Sequence, residues 1–160
     1  MLLFLLIPCS NVFADPGLTE EGIIIRIADG DTLTVINKDN IKIKIRVWGI
    51  DCPEINQEYG NKSKELVQSV LSLNSTLRYE PIEIDKYGRT VAIVYLQDGT
   101  TLQEFLIYNG AAWVFERYCN MSICDNWREL QSYNQSKGIG LFSSINAVPP
   151  WEWRRQSHKK

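Results

Sequence analysis

Acidic residues and arginines are concentrated in three short blocks of this sequence: DGDT at 29–32, RVWGIDCPE at 46–54 and DKYGR at 85–89. The single histidine, His158, lies in a charged tail. Catalysis by a serine–histidine–aspartate triad or a histidine pair, and metal binding through histidines, are therefore excluded. Any chemistry that this chain performs must rest on carboxylates and guanidinium groups.

The first two blocks contain oxygen ligands of the kind that a hard divalent cation prefers. Asp29 and Asp31 flank Gly30 in a turn between two strands, and Asp51 ends a third strand just before Cys52. If the three strands form a meander, both places can lie at one rim of a barrel. Two carboxylates and a backbone carbonyl there favour calcium or magnesium over zinc or copper. Asp-Gly is also an ordinary turn sequence, so DGD alone does not decide between a ligand and a turn.

Two arginines complete a set of groups suited to phosphoryl transfer. Arg46 lies on the polar face of the third strand, and Arg89 closes the third block. The transition state of phosphoryl transfer spreads negative charge over equatorial oxygens, which fixed guanidinium groups stabilise. Each arginine alone is better explained as a solvated surface charge. Their combination with the acidic residues favours a catalytic site.

Short strands that can position these blocks follow from the hydrophobic pattern. Residues 22–48 predict a three-stranded meander, with strands GIIIRIA, TLTVI and IKIKIRVW separated by the turns DGD and NKDN. In the third strand, strict alternation predicts one core face and one polar face. The core face contains Ile41, Ile43, Ile45 and Val47, and the polar face contains Lys42, Lys44 and Arg46.

The remaining pattern predicts helices and one more hairpin. An amphipathic helix is expected over 60–73, and a hairpin follows in which DKYGR connects LRYEPIEI and TVAIVYL. Two further helices should end at Gly110 and at Gly138, the second beginning near 122–125. This order predicts an α+β, mainly β fold: a five-stranded Greek-key OB-fold barrel with about three packed helices.

The ends of the chain suggest an exported single domain. Residues 1–14, MLLFLLIPCSNVFA, are typical of a signal peptide, although no lysine or arginine precedes the apolar run. We therefore expect a periplasmic or secreted protein with one domain over 15–148 and a strap-like basic, aromatic tail over 149–160. The net charge of -2 and pI of about 5.5 exclude a general basic field for nucleic acid, so any positive site must be local.

Three cysteines remain beyond the predicted signal peptide. Cys119 and Cys124 are separated by the short polar segment NMSI and can form a disulfide, as an oxidising compartment allows. Zinc would need four ligands, and the chain offers no second cysteine pair. Cys52 is left without a pairing partner.

The three blocks together resemble one known family. The segments IADGDTLTV, IRVWGIDCPE and DKYGRTVAIVY have the order and approximate spacing of the staphylococcal nuclease, or thermonuclease, family, with similarity from 22 to 142. The closing PPWEWRR and the Cys119, Cys124 pair resemble exported Gram-negative members. The resemblance implies a calcium-dependent endonuclease that hydrolyses phosphodiester bonds in DNA and RNA. We expect a monomer without stable membrane association.

The resemblance also implies a role for each matching residue of the three blocks. Asp31 and Asp51 would bind calcium through their carboxylates, and Cys52 would bind it through its backbone carbonyl. Glu54 would be the general base, and Arg46 and Arg89 would bind the phosphate and stabilise its transition state.

Three positions next to this set would support it. Asp29 resembles a residue that supports the metal ligands without touching the metal. Tyr87 matches a position beside the nucleotide, and Tyr118 matches a second such tyrosine loosely. The segment after Glu54, INQEYGNKSK, is shorter than the family's lysine-rich loop, so we expect modest, salt-sensitive binding.

Two other functions compete with a nuclease. The same barrel also occurs as a non-catalytic module that binds nucleic acid or protein, but such modules typically lack the catalytic residues, which this chain retains. A glycosidase could use Asp51 and Glu54 as its carboxylate pair. That alternative leaves Arg46 and Arg89 without a role.

Overall fold

Five strands of the protein close into a barrel in the computed structural model, which describes residues 18–157. The seven strands of the described residues are β1 (Glu20–Ile27), β2 (Thr32–Asn37), β3 (Lys42–Val47), β4 (Ile50–Asp51), β5 (Thr76–Ile84), β6 (Thr90–Tyr95) and β7 (Trp113–Val114). The barrel order is β1-β2-β3-β6-β5, and only the β3 and β6 pair is parallel. This mixed barrel confirms the predicted OB-type α+β fold. The predicted signal peptide lies outside the described residues.

Helices cover the barrel, and one of them was expected only as a strap. The helices are α1 (Gly60–Val70), α2 (Leu102–Tyr108), α3 (Ile123–Lys137) and α4 (Pro150–Ser157), with a 3-10 helix at Gly140–Ser143. As predicted, α3 ends at Gly138, which has a φ of 62°. The tail folds as α4. Pro150 has no N–H to donate, but it is the first residue of the helix, where no hydrogen bond inside the helix is lost. Within residues 18–157, none of these helices is long and apolar enough to cross a membrane.

The barrel interior is apolar, as the alternation in β3 predicts. Ile45 and Val47 are buried, whereas Lys44, which precedes Ile45, is exposed. Arg46 lies on the same polar face as Lys42 and Lys44, but only 12% of its side chain is exposed. Ile41 was assigned to the core and is instead 57% exposed, because it precedes the first residue of β3. Along the polar face of β3, exposed lysines therefore give way to a largely buried arginine. This arginine lies at the end of the strand, where the second block begins.

The two-residue strands β4 and β7 form a small separate sheet that the sequence analysis did not predict. Ile50 pairs with Val114, and Asp51 pairs with Trp113. The N–H of Val114 donates to the side-chain carbonyl of Gln131 on α3 at 2.7 Å. This sheet fixes the backbone of Asp51 against α3 rather than leaving it in a loop.

Cys119 and Cys124 form the expected disulfide, which closes a short loop at the start of α3. Both half-cystines are buried. The bond therefore secures the segment between β7 and α3.

Replacing both cysteines with serine should leave the protein folded but less stable. The closed loop has a sequence separation of 5, and the chain-entropy relation then gives a loss of about 2 kcal/mol. Urea unfolding of the variant and the wild type measures this loss. Reductant should destabilise the wild type by a similar amount and leave the double variant unchanged. Alkylation of both cysteines in unreduced protein would contradict the bond.

Candidate active site

One open groove contains every side chain that the sequence analysis assigned to catalysis, metal binding or substrate binding. These residues are Asp29, Asp31, Arg46, Asp51, Cys52, Glu54, Tyr87, Arg89 and Tyr118. They belong to the β1–β2 turn, the end of β3, β4 and the segment after it, the β5–β6 turn and the segment after β7. The fold thus brings three blocks that are far apart in sequence to one place.

Asp31 is held at the base of the groove by hydrogen bonds from both sides. Its Oδ2 accepts the N–H of Cys52 at 2.7 Å and faces Arg46 Nη1 at 3.0 Å. Its own N–H donates to Asp29 Oδ1 at 3.0 Å. Asp29 therefore shapes the turn that presents Asp31, which agrees with a supporting role for Asp29. Thr32 Oγ1 donates to the remaining oxygen at 3.2 Å.

Asp51 is the most deeply buried acid of the groove, with 1% of its side chain exposed. Arg46 Nη2 donates to its Oδ1 at 2.7 Å. The guanidinium of Arg46 thus joins Asp51 to Asp31, and it also donates to the carbonyl of Val47 at 3.1 Å. A single planar fork fixes the two acids relative to each other, which a lysine could not do.

Glycine allows two close contacts that place the acidic blocks. A Cβ on Gly30 would lie 2.8 Å from the side chain of Cys52. At Gly60, the first residue of α1, a Cβ would collide with the backbone carbonyl of Glu54. Gln57 Oε1 accepts the N–H of Glu54 at 3.1 Å. The segment after β4 is therefore pressed against α1, which sets the position of Glu54.

The turn between β5 and β6 orients Arg89. Asp85 Oδ1 accepts the N–H groups of Tyr87 at 2.9 Å and Arg89 at 3.0 Å. Asp85 Oδ2 accepts from Arg89 Nε at 2.7 Å. Partial burial opposes ionisation of Asp85, but these hydrogen bonds outweigh it and lower its pKa. Asp85 therefore stays ionised and holds Arg89 towards the groove.

Two exposed tyrosines border the groove next to arginines. Tyr87 is 72% exposed and Tyr118 is 43% exposed. The guanidinium carbon of Arg89 lies 5.5 Å from the Tyr87 ring centroid, and that of Arg117 lies 5.6 Å from the Tyr118 ring centroid. Aromatic faces beside cations suit the stacking of bases and the binding of phosphates.

A fourth helix contributes a residue that the sequence analysis did not assign. Arg154 of α4 donates from Nη2 to Asp51 Oδ2 and from Nη1 to Glu54 Oε1, both at 2.6 Å. It is separated from Glu54 by 100 residues, so no spacing rule could have linked them. Asp85 was also missed, although its place at the start of the DKYGR turn was a usable signal.

The groove contains more carboxylates than guanidinium groups to neutralise them. Asp29, Asp31, Asp51 and Glu54 face Arg46 and Arg154, whereas Arg89 is paired with Asp85. This cluster of four acids and two arginines therefore has a formal charge of -2, while Glu83, Lys86 and Arg117 also line the groove.

The pKa of the Asp31 carboxyl is shifted by its burial and by these neighbouring charges. Burial raises the pKa of Asp31, Arg46 opposes this rise, and the carboxylates of Asp29 and Asp51 add to it, so that the pKa is about 7. The main cause is desolvation, and the nearby guanidinium of Arg46 does not fully offset it.

The donor atoms of this groove suit calcium. Asp31 and Asp51 supply carboxylate oxygens, and the carbonyl of Cys52 accepts no hydrogen bond from residues 18–157. No three histidine, cysteine or acidic side chains converge on one point in this part of the chain. The set is thus two carboxylates and a carbonyl, an all-oxygen combination that calcium accepts together with water.

The closed barrel and its groove of acids and arginines define an OB-fold protein of the nuclease type. The chain belongs to the staphylococcal nuclease family, since the family model "Staphylococcal nuclease homologue" matches residues 44–144. This confirms the resemblance seen in the three blocks.

Curated relatives agree with this assignment. The chain is 38% identical over 133 residues to an uncharacterized endonuclease of Haemophilus influenzae, covering 83% of this chain and 72% of that protein. It is 33% identical over 147 residues to an uncharacterized endonuclease of Escherichia coli O157:H7, covering 91% and 93%. It is 32% identical over 146 residues to a micrococcal nuclease of Shigella flexneri, covering 86% and 82%.

Proposed function

We propose that the protein is a calcium-dependent nuclease that hydrolyses phosphodiester bonds of DNA and RNA. The observation that carries this proposal is the fork of Arg46, which joins Asp31 and Asp51 in the groove that also contains Glu54 and Arg89. Membership of the staphylococcal nuclease family supports the reaction class. The Cys119–Cys124 disulfide supports a site of action outside the cytoplasm.

The acids divide into metal ligands and a base. Asp31, Asp51 and the carbonyl of Cys52 would hold calcium, which when bound supplies positive charge next to the phosphoryl oxygens. Glu54 is 35% exposed at its side chain and can reach a water molecule in the groove. In this proposal Glu54 accepts a proton from that water as it attacks phosphorus, the bond from phosphorus to the leaving sugar oxygen breaks, and that oxygen takes up a proton from solvent.

The arginines bind the phosphate that is attacked. Arg46 uses Nη1 and Nη2 to hold the two ligand acids, and its remaining N–H groups can donate to a phosphate oxygen. Arg89 is oriented by Asp85 and lies on another wall of the groove. Two guanidiniums from different elements stabilise the charge that spreads over the phosphoryl oxygens in the transition state. Tyr87 and Tyr118 would contact the flanking bases.

Loss of the general base separates an enzyme from a binding module. Glu54→Gln should lower the rate of plasmid cleavage in calcium by roughly 10²- to 10⁴-fold, because glutamine cannot accept the proton. The same variant should still bind single-stranded DNA, since Glu54 makes no proposed contact to phosphate. Gel analysis of plasmid and a filter-binding titration measure the two effects.

A matched control uses an acid outside the groove. Glu65→Gln removes an exposed carboxylate on α1 that pairs only with Lys62 among the described residues, and it should cleave like the wild type. Assays on single-stranded DNA, duplex DNA and RNA then define the substrate range. A wild type that binds all three and cleaves none would identify the non-catalytic module instead.

A further inference from the structure

Helix α4 places a cation on the two acids that the proposed reaction needs most. Arg154 donates to Asp51 Oδ2 and Glu54 Oε1 at 2.6 Å and to Asp51 Oδ1 at 3.3 Å. The Arg154 side chain is 38% exposed, whereas the Asp51 side chain is 1% exposed. The guanidinium therefore covers the solvent side of an otherwise enclosed carboxylate.

The helix is held in this place by contacts with the segment around β7. Trp151 stacks on Phe115 with ring centroids 5.3 Å apart and an interplanar angle of 8°, and its centroid lies 6.0 Å from that of Trp113. Gln57 Nε2 donates to the carbonyl of Val148, just before α4, at 2.6 Å. These anchors lie on β7, the segment after it and the segment before α1, and none lies on a barrel strand, so displacement of α4 need not break the strand pairing of the barrel.

Arg154 and a divalent cation would require the same oxygen atoms. Both oxygens of Asp51 already accept hydrogen bonds, Oδ1 from Arg46 and Arg154 and Oδ2 from Arg154. A metal ion bound to Asp51 would lie within contact distance of the Arg154 guanidinium, and two cations repel strongly at that range in a poorly solvated groove. Arg46 and Arg154 share Asp51 Oδ1, so the competition with a metal ion concerns Oδ2, which among the described residues accepts a hydrogen bond from Arg154 alone.

We propose that Arg154 is a built-in competitor of calcium and that α4 is a latch on the metal site. This inference rests on the proposed function, because it takes calcium as the metal of Asp51. In the latched state the guanidinium of Arg154 neutralises the carboxylate of Asp51 and donates a hydrogen bond to Glu54 Oε1. Calcium displaces Arg154 from Asp51, and this exchange frees the carboxylate of Glu54 for water.

The neighbouring arginine provides a matched control. Arg155 follows Arg154 on the same helix, its side chain is 68% exposed, and its nearest acid is Glu152 at 3.9 Å. Arg154→Gln and Arg155→Gln remove the same charge from the same helix. Only the first removes the contact with Asp51 and Glu54.

Calorimetric titration of the full chain with calcium alone tests the competition. Arg154→Gln should bind calcium about 10-fold more tightly or better, in the usual range for coupling between two binding events. Arg155→Gln should stay close to the wild type. The rise in melting temperature on adding calcium should likewise be larger for Arg154→Gln.

A second measurement uses the unaltered protein, so it does not depend on the folding of a variant. Calcium should increase amide hydrogen exchange in residues 150–157 of the wild type while residues 42–51 become more protected. Magnesium at the same concentration serves as the comparison ion.

The possible outcomes distinguish this inference from the proposed function. Equal or weaker calcium binding by Arg154→Gln would overturn the latch, as would unchanged exchange in residues 150–157 of the wild type when calcium binds. Those results leave a calcium-dependent nuclease intact. If neither the wild type nor Arg154→Gln binds calcium, the assigned metal fails and the latch fails with it.

Discussion

Chelation of calcium should reduce nucleic-acid cleavage to the background rate, even with millimolar magnesium present. In the proposed metal site, Asp31, Asp51 and the Cys52 carbonyl would supply only three protein oxygens, so water and phosphate would complete the shell. Calcium accepts six to eight oxygens in flexible geometry, whereas magnesium requires a tight octahedron and loses water reluctantly. In the proposed mechanism the metal would neutralise charge that develops during the reaction, so its removal should stop turnover rather than merely weaken binding. Plasmid cleavage in calcium-free buffer, followed by calcium addition, measures this effect.

A variant of one ligand should reproduce the effect of the chelator. Asp51→Asn removes a charged ligand and should abolish cleavage at any calcium concentration that saturates the wild type. Asp39→Asn, in the exposed turn between β2 and β3, removes a carboxylate outside the groove and should have no effect. Full activity in magnesium after calcium removal would assign this protein to a different nuclease mechanism.

Arg89→Lys should lower the rate of cleavage by roughly 10³- to 10⁵-fold, the range for an arginine that stabilises a phosphoryl transition state. Asp85 holds Arg89 through Nε and Nη2, which leaves Nη1 to donate to phosphate. An ammonium group in the same turn keeps the charge but cannot donate in two directions from a plane. Single-turnover kinetics with excess enzyme separate this loss from weaker substrate binding.

Arg46, the second arginine assigned to the phosphate, should affect stability as well as the rate of cleavage. Arg46→Lys should also be a poor enzyme, but it breaks the fork between Asp31 and Asp51 and should lower the stability to urea as well. Arg26→Lys on the exposed face of β1 is the matched control and should leave rate and stability unchanged. A folded Arg89→Lys protein with a near-normal rate would remove Arg89 from the proposed mechanism.

The barrel was predictable from sequence because its signals are local. Alternation in β3 and the glycine that terminates α3 act over a few residues, and both predictions agree with the structure. The convergence of the first two blocks followed from a meander that brings alternate strand ends to one rim, whereas the place of DKYGR in the site was implied only by the family resemblance. The assignment of Ile41 to the core was wrong because periodicity does not show where a strand begins.

Features that depend on distant packing were not predictable. The β4 and β7 sheet consists of two-residue strands, which are too short to produce a pattern. Arg154 reaches Asp51 and Glu54 only because the aromatic contacts of Trp151 place α4 over the groove. In the sequence, Arg154 is one of several charges in a basic tail, and nothing in its spacing separates it from Arg155.

The unpaired thiol beneath the groove has a consequence for how the protein acquires its correct disulfide. Cys52 is buried, and burial raises the pKa of its thiol well above the ordinary value. Thiol–disulfide exchange requires a thiolate, so a folded molecule keeps Cys52 protonated and unreactive towards the Cys119–Cys124 bond. Scrambled pairings can arise only while the chain is still open. We therefore expect the ratio of correct to scrambled pairing to depend on how fast the barrel closes relative to oxidation.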